Sequence, residues 1–160
     1  MNTLLNDIKT RQFKPVYLLT GEEAYLLMQY RDRLGSAIVP AEDTMNRTYY
    51  AGAKTDPQEI IDTGETMPFF AENRLIIVED SGFMKTASPE LAEYVGRMPE
   101  YLHIIFVEKE TDKRNGLYKA VKAVGYICEF TRLDEKKLAA WAGKMLADAG
   151  LRMILNQHKA

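Results

Sequence analysis

Val16-Tyr17-Leu18-Leu19-Thr20-Gly21-Glu22-Glu23 is an apolar run that reaches a glycine and two acids, and the next stretch carries Leu27, Leu34 and Ile38 at helical spacing. A short apolar run that feeds a helix from about Ala24 to Ile38 reads as the opening of an α/β fold, with its first strand covered on both faces. The turn between such a strand and its helix is where a phosphate-binding loop sits. The phosphate chemistry is missing. There is no second glycine to free backbone N–H groups and no lysine to meet phosphate charge, while Glu22 and Glu23 repel an anion. Both acids suit the positive end of a helix dipole, so helix capping accounts for them better than an acid–base pair does. The stretch describes a nucleotide-binding architecture put to another use.

Working outward, Thr3 to Ile8 reads as a short helix that Phe13-Lys14-Pro15 breaks before the first strand. Thr48-Tyr49-Tyr50 suggests a second strand, and Asp56-Pro57 opens a helix through Ile60 and Ile61. Arg74 to Val78 is an apolar strand, Ser88-Pro89-Glu90 starts a helix, Leu102 to Val107 is a strand, Lys113 to Ala123 a helix and Tyr126 to Phe130 the last strand. This alternation indicates a three-layer α/β/α domain over residues 1–132 around a largely parallel five-stranded sheet. From Leu133 the rhythm changes to one amphipathic helix, with Leu138, Trp141, Met145 and Ala149 on one face and Gly150 at its end. Residues 133–160 therefore read as the start of a second, helical module. Asn156 is a candidate N-cap with too few residues after it to form a helix, so this end is read as a truncation.

Hydrophobic residues make up 46% of the chain, yet no apolar run reaches membrane-spanning length and no charged-then-apolar leader opens it. A cytoplasmic protein with no membrane partner is the expectation. A single cysteine, Cys128, makes no internal disulfide, and its place in Tyr126-Ile127-Cys128-Glu129-Phe130 suits a packed strand residue better than a nucleophile. The net charge of −2 provides no overall attraction to nucleic acid. Lys109, Lys113, Arg114, Lys119 and Lys122 lie among Glu108, Glu110 and Asp112, which reads as a solvated mixed surface rather than a phosphate-binding patch.

Glu79-Asp80, at the end of the Arg74 strand, stand where a P-loop ATPase carries its magnesium-holding acids. With no phosphate cradle, a solvated strand end is the expectation for the pair. His103 and His158 have no partner within their own motifs and read as structural or exposed. Glu65-Thr66-Met67-Pro68-Phe69-Phe70 is less ordinary, because two adjacent phenylalanines cannot share one face of a helix or strand. Core packing of one ring with partial burial of the other is the plainer expectation, and a docking wedge for a protein partner is the sharper one.

Three stretches in order carry a family resemblance: Lys14 to Glu23; Met67-Pro68-Phe69-Phe70-Ala71-Glu72-Asn73-Arg74 through Val78; and Asp112-Lys113-Arg114 through Leu117-Tyr118-Lys119. Together they resemble the delta-subunit family of the bacterial DNA polymerase III clamp loader, and the resemblance runs the length of the chain. It implies an AAA+ ATPase-like (RecA-type) module without a working nucleotide site, followed by the start of a helical lid. It further implies that the chain binds the sliding clamp and helps open the ring for loading onto primed DNA, with Met67, Pro68, Phe69 and Phe70 as the clamp-binding residues. No catalytic residue, metal or cofactor is implied, and the tie to DNA-directed DNA polymerase is by association in the holoenzyme. The other loader subunits are expected to bind through a C-terminal region this chain does not reach, primed DNA to be met only within the assembled loader, and the isolated chain to be a monomer. The residues alone also admit a P-loop-like nucleotide hydrolase using Glu79 and Asp80, or a doubly wound receiver or small-ligand domain working at the carboxyl ends of its strands.

Overall fold

The computed structural model describes residues 2–131, so the lid expected over 133–160, with the helix from Leu133 to Gly150 and with His158, lies outside the described residues. Within them, helix α1 (Asn2–Thr10) precedes strand β1 (Val16–Gly21), helix α2 (Ala24–Ile38) and strand β2 (Arg47–Ala51). Helix α3 (Pro57–Gly64), strand β3 (Arg74–Glu79), helix α4 (Pro89–Tyr94), strand β4 (Leu102–Glu108), helix α5 (Gly116–Val124) and strand β5 (Tyr126–Phe130) follow. The sheet order is β2-β3-β4-β1-β5, and every neighbouring pair is parallel.

Side-chain alternation along the strands divides the core in two. Val16, Leu18, Ile76, Val78, Ile104 and Phe106 face α3, α4 and α5. Tyr17, Leu19, Leu75, Ile77, Ile105 and Val107 face α1 and α2, where Leu27, Leu34 and Ile38 form the buried stripe of α2. Each such side chain contributes about 1.5–3 kcal/mol relative to exposure, which is why strands covered on both faces read as unbroken apolar runs. Cys128 is packed on the α1/α2 face, 2% exposed, as a strand residue.

Local chemistry sets the helix ends. Asp56 caps α3 by accepting from the Gln58 amide at 2.9 Å, with Pro57 at the first helical position. Helix α5 starts at Gly116 rather than Lys113, because the Asp112 carboxylate accepts from the Arg114 amide at 2.9 Å and Asn115 supplies the cap, accepting from the Tyr118 amide at 3.0 Å. Helix α1 is tied to the sheet through Asp7, which accepts from the Tyr17 hydroxyl at 2.7 Å and the Lys14 ammonium at 2.8 Å. Among the described residues no helix is long and apolar enough to cross a membrane.

Candidate functional site

Two places bear on function: the turn after β1, where a nucleotide would sit in this architecture, and the loop between α3 and β3.

At the first, Gly21 ends β1 with φ +124°, and a Cβ there would lie 2.3 Å from the carbonyl oxygen of Phe130. Backbone of β5 therefore crosses against the turn. The same carbonyl accepts from the Glu23 amide at 3.3 Å, so a donor at the α2 N-terminus that a phosphate would use is directed at the protein itself. Glu23 stands at the N-cap position without a side-chain capping bond, so its contribution there is charge rather than capping geometry. An open cleft of about 420 Å³ remains beside the turn, lined by Gly21, Glu22, Ala24, Lys109, Glu129, Phe130 and Thr131.

Glu79 departs from expectation. It is not a solvated strand end: Arg31 of α2 pairs with one carboxylate oxygen and the Tyr49 hydroxyl donates to the other, with only 13% of the Glu79 side chain exposed. Asp80 next to it is exposed, at φ +51°. Glu108, at the end of β4, is buried and accepts from the Ser81 and Gly82 amides and the Ser81 hydroxyl; burial holds its carboxyl above the usual range. His103 is also built in, with Nδ1 2.7 Å from the Lys14 carbonyl and its ring edge-on to Phe13. Arg114 pairs with Asp112 and Lys85 with Glu110, in keeping with a mixed solvated surface.

The α3–β3 loop is the opposite case. Met67 is 74% exposed, Phe69 55% and Phe70 93%, with Pro68 half-buried between them. The expectation that one ring packs into the core fails, because both lie outside it and meet each other edge to face at 4.5 Å. Phe70 has φ +52°, in the left-handed region that bulky side chains avoid. This backbone turn presents the ring to solvent.

The loop is nonetheless fixed. Arg74, 7% exposed at the start of β3, donates from Nε to the Thr66 carbonyl at 2.8 Å and from Nη2 to that of Met67 at 3.3 Å. Asn73 donates to the Ile38 carbonyl at the end of α2, at 3.3 Å. Asn46 accepts from the Phe69 amide at 2.6 Å and donates to the Phe69 carbonyl at 2.9 Å. Asp43 accepts in turn from the Asn46 side chain at 2.8 Å, and that bond above all holds the Asp43 carboxyl below its ordinary range. Sequence reading singled out neither Asn46 nor Asp43. The available signal was the Asp-x-x-Asn spacing of a side-chain-bonded turn before a strand, which does not reveal a partner 23 residues away.

The structure thus brings Met67, Pro68, Phe69 and Phe70 together on one braced loop and leaves Glu79 and Asp80 apart from them. An exposed pair of aromatic rings on a fixed, strained turn offers an apolar surface that nothing in the described residues covers.

Comparison with known proteins agrees with this architecture. The fold is similar to that of the Bacillus subtilis DNA clamp loader delta protein, with TM-score 0.77 and 23% identity over 92% of this chain and 47% of that one. It is also similar to a DNA polymerase III gamma subunit-related protein of Thermotoga maritima, with TM-score 0.58 and 15% identity over 92% and 53% of the two chains. In sequence the chain is 28% identical over 143 residues to the DNA polymerase III subunit delta of Bacillus subtilis strain 168, covering 82% of this chain and 41% of that relative. The chain thus spans less than half the length of the curated relative it matches. With the model of the DNA polymerase III delta subunit matching residues 17–131, the chain belongs to that family.

Proposed function

We propose that this chain docks on the sliding clamp through Met67, Pro68, Phe69 and Phe70 and helps open the ring for loading onto primed DNA, without hydrolysing ATP itself. The observation that carries the reading is Phe70, which is 93% exposed in a left-handed backbone conformation. Neither the exposure nor the strain benefits the isolated fold, since glycine or asparagine suits that conformation better. An interface benefits from both. Burying an aromatic ring in a partner's pocket contributes about 1.5–3 kcal/mol, and a fixed loop loses little freedom on binding.

Ring opening follows from differential affinity. A subunit shifts a ring from closed to open only as far as it binds the open form more tightly, at about 1.4 kcal/mol for each factor of ten. In this reading the wedge engages a pocket near a ring interface whose shape differs between the two forms. Assembly with other loader subunits and encounter with primed DNA belong to the longer protein of the family.

The Arg31–Glu79–Tyr49 arrangement supports the nucleotide-hydrolase alternative less well, because its acid is already engaged. A pull-down of this chain with the sliding clamp from the same source tests the proposal. Saturable capture is expected; no capture at micromolar concentrations of both proteins contradicts it.

A further inference from the structure

We propose that Asn46 is a positioning residue for the Phe69-Phe70 tip, fixing before contact the backbone from which the rings enter the clamp. This rests on reading the tip as the clamp wedge. Asn46 is 1% exposed and joined to the protein at both ends. Its own carbonyl accepts from the Leu75 amide at 2.9 Å, which ties its main chain to β3, and its side chain brackets the main chain of Phe69. The position of β3 is thereby transmitted to the Phe69 main chain through Asn46, beside the hold that Arg74 has on Thr66 and Met67.

Only a side-chain amide combines donor and acceptor on one flat group that matches the N–H and C=O of a single residue. An aspartate in its place offers acceptors alone, facing both the Phe69 carbonyl and the carboxylate of Asp43. Asp43 completes the bracket, since its two oxygens accept from the Met45 and Asn46 amides and from the Asn46 side chain. This leaves Asn46 one orientation. A tip held in this way carries little backbone ordering cost at the moment of binding, leaving mainly the ring rotamers to settle.

The test is a double-mutant cycle on clamp affinity with Asn46→Ala, Phe70→Ala and the pair. Asn46→Ala is expected to weaken binding about tenfold, and Phe70→Ala to cost several-fold less in the Asn46→Ala background than alone, because a ring on a loosened tip contributes less. A purely structural role lowers the melting temperature yet leaves the two losses independent. Hydrogen exchange at the Phe69 amide is expected to accelerate in the Asn46 variant. If Asn46→Ala does not fold, Asp43→Ala, at the half-exposed edge of the bracket, replaces it in the same cycle with the same expectations. Undiminished affinity in a folded bracket variant, or losses that multiply independently, overturns the positioning role while the wedge stands; undiminished affinity in Phe70→Ala overturns both.

Discussion

Arg31 on α2 pairs with Glu79 at the end of β3, so the carboxylate placed where a nucleotide hydrolase would hold magnesium is already neutralised by a guanidinium. Phe130 closes the other half of such a site by offering its carbonyl to the Glu23 amide. Titration calorimetry with magnesium-ATP is therefore expected to show no saturable heat. A dissociation constant near micromolar, about 8 kcal/mol of binding, contradicts this.

Gly21 has both a positive φ and no room for a Cβ, which would sit 2.3 Å from the Phe130 carbonyl oxygen. Gly21→Ala forces β5 away from β1 or strains the turn. It is expected to lower unfolding free energy by at least about 2 kcal/mol, measured by urea denaturation, whereas Gly82→Ala, which meets nothing within 4 Å, suffers only the backbone penalty of about 1 kcal/mol at φ +81°.

His103 makes stability depend on pH. Burial depresses its imidazole pKa below the ordinary 6.5, an effect that the bond to the Lys14 carbonyl only partly offsets. The unfolded chain then takes up a proton that the folded chain refuses, so the contribution to stability is full above about pH 6.5 and is lost as pH falls through the lower folded value. Glu108, whose carboxyl burial raises above its ordinary 4.5, acts in the opposite sense, with its contribution lost as pH rises through the folded value. Comparing His103→Gln with wild type cancels the Glu108 effect. Between pH 7.5 and 5 the melting temperature of the variant is expected to fall less than that of wild type; equal falls contradict the assignment.

Much of the fold is legible in sequence because burial on both faces writes itself as apolar runs. The strands at Val16, Arg74 and Leu102 are of this kind, the edge strand at Tyr126 is only partly buried, and α2 spans Ala24–Ile38 as its apolar stripe indicates. What escapes is pairing at a distance. Glu79 reads as a solvated strand end because its partner Arg31 lies 48 residues earlier, on a helix face that looks merely polar. The two phenylalanines read locally as half core, because nothing in Met67 to Phe70 reveals that Asn46 holds the Phe69 main chain, and Arg74 the Thr66 and Met67 carbonyls before it, outside the core. Adjacency singled out those rings as a candidate wedge and the family resemblance implied the clamp as its partner; only the geometry explains how they are held.

Phe70 carries strain that a smaller residue relieves. Phe70→Gly removes the cost of a side chain at φ +52° and removes an exposed ring, so the isolated chain is expected to gain roughly 0.5–1 kcal/mol in stability. The same change is expected to weaken clamp binding. A variant that loses stability instead shows that the ring supports the fold.

The central claim is that Phe69 and Phe70 serve an interface rather than the core, and clamp affinity measured beside melting temperature for the Phe69→Ala, Phe70→Ala double variant tests it most directly. The account predicts at least about a hundredfold loss of affinity, roughly 2.7 kcal/mol, with the melting temperature within a few degrees of wild type. A folded double variant that binds the clamp as tightly as wild type contradicts it.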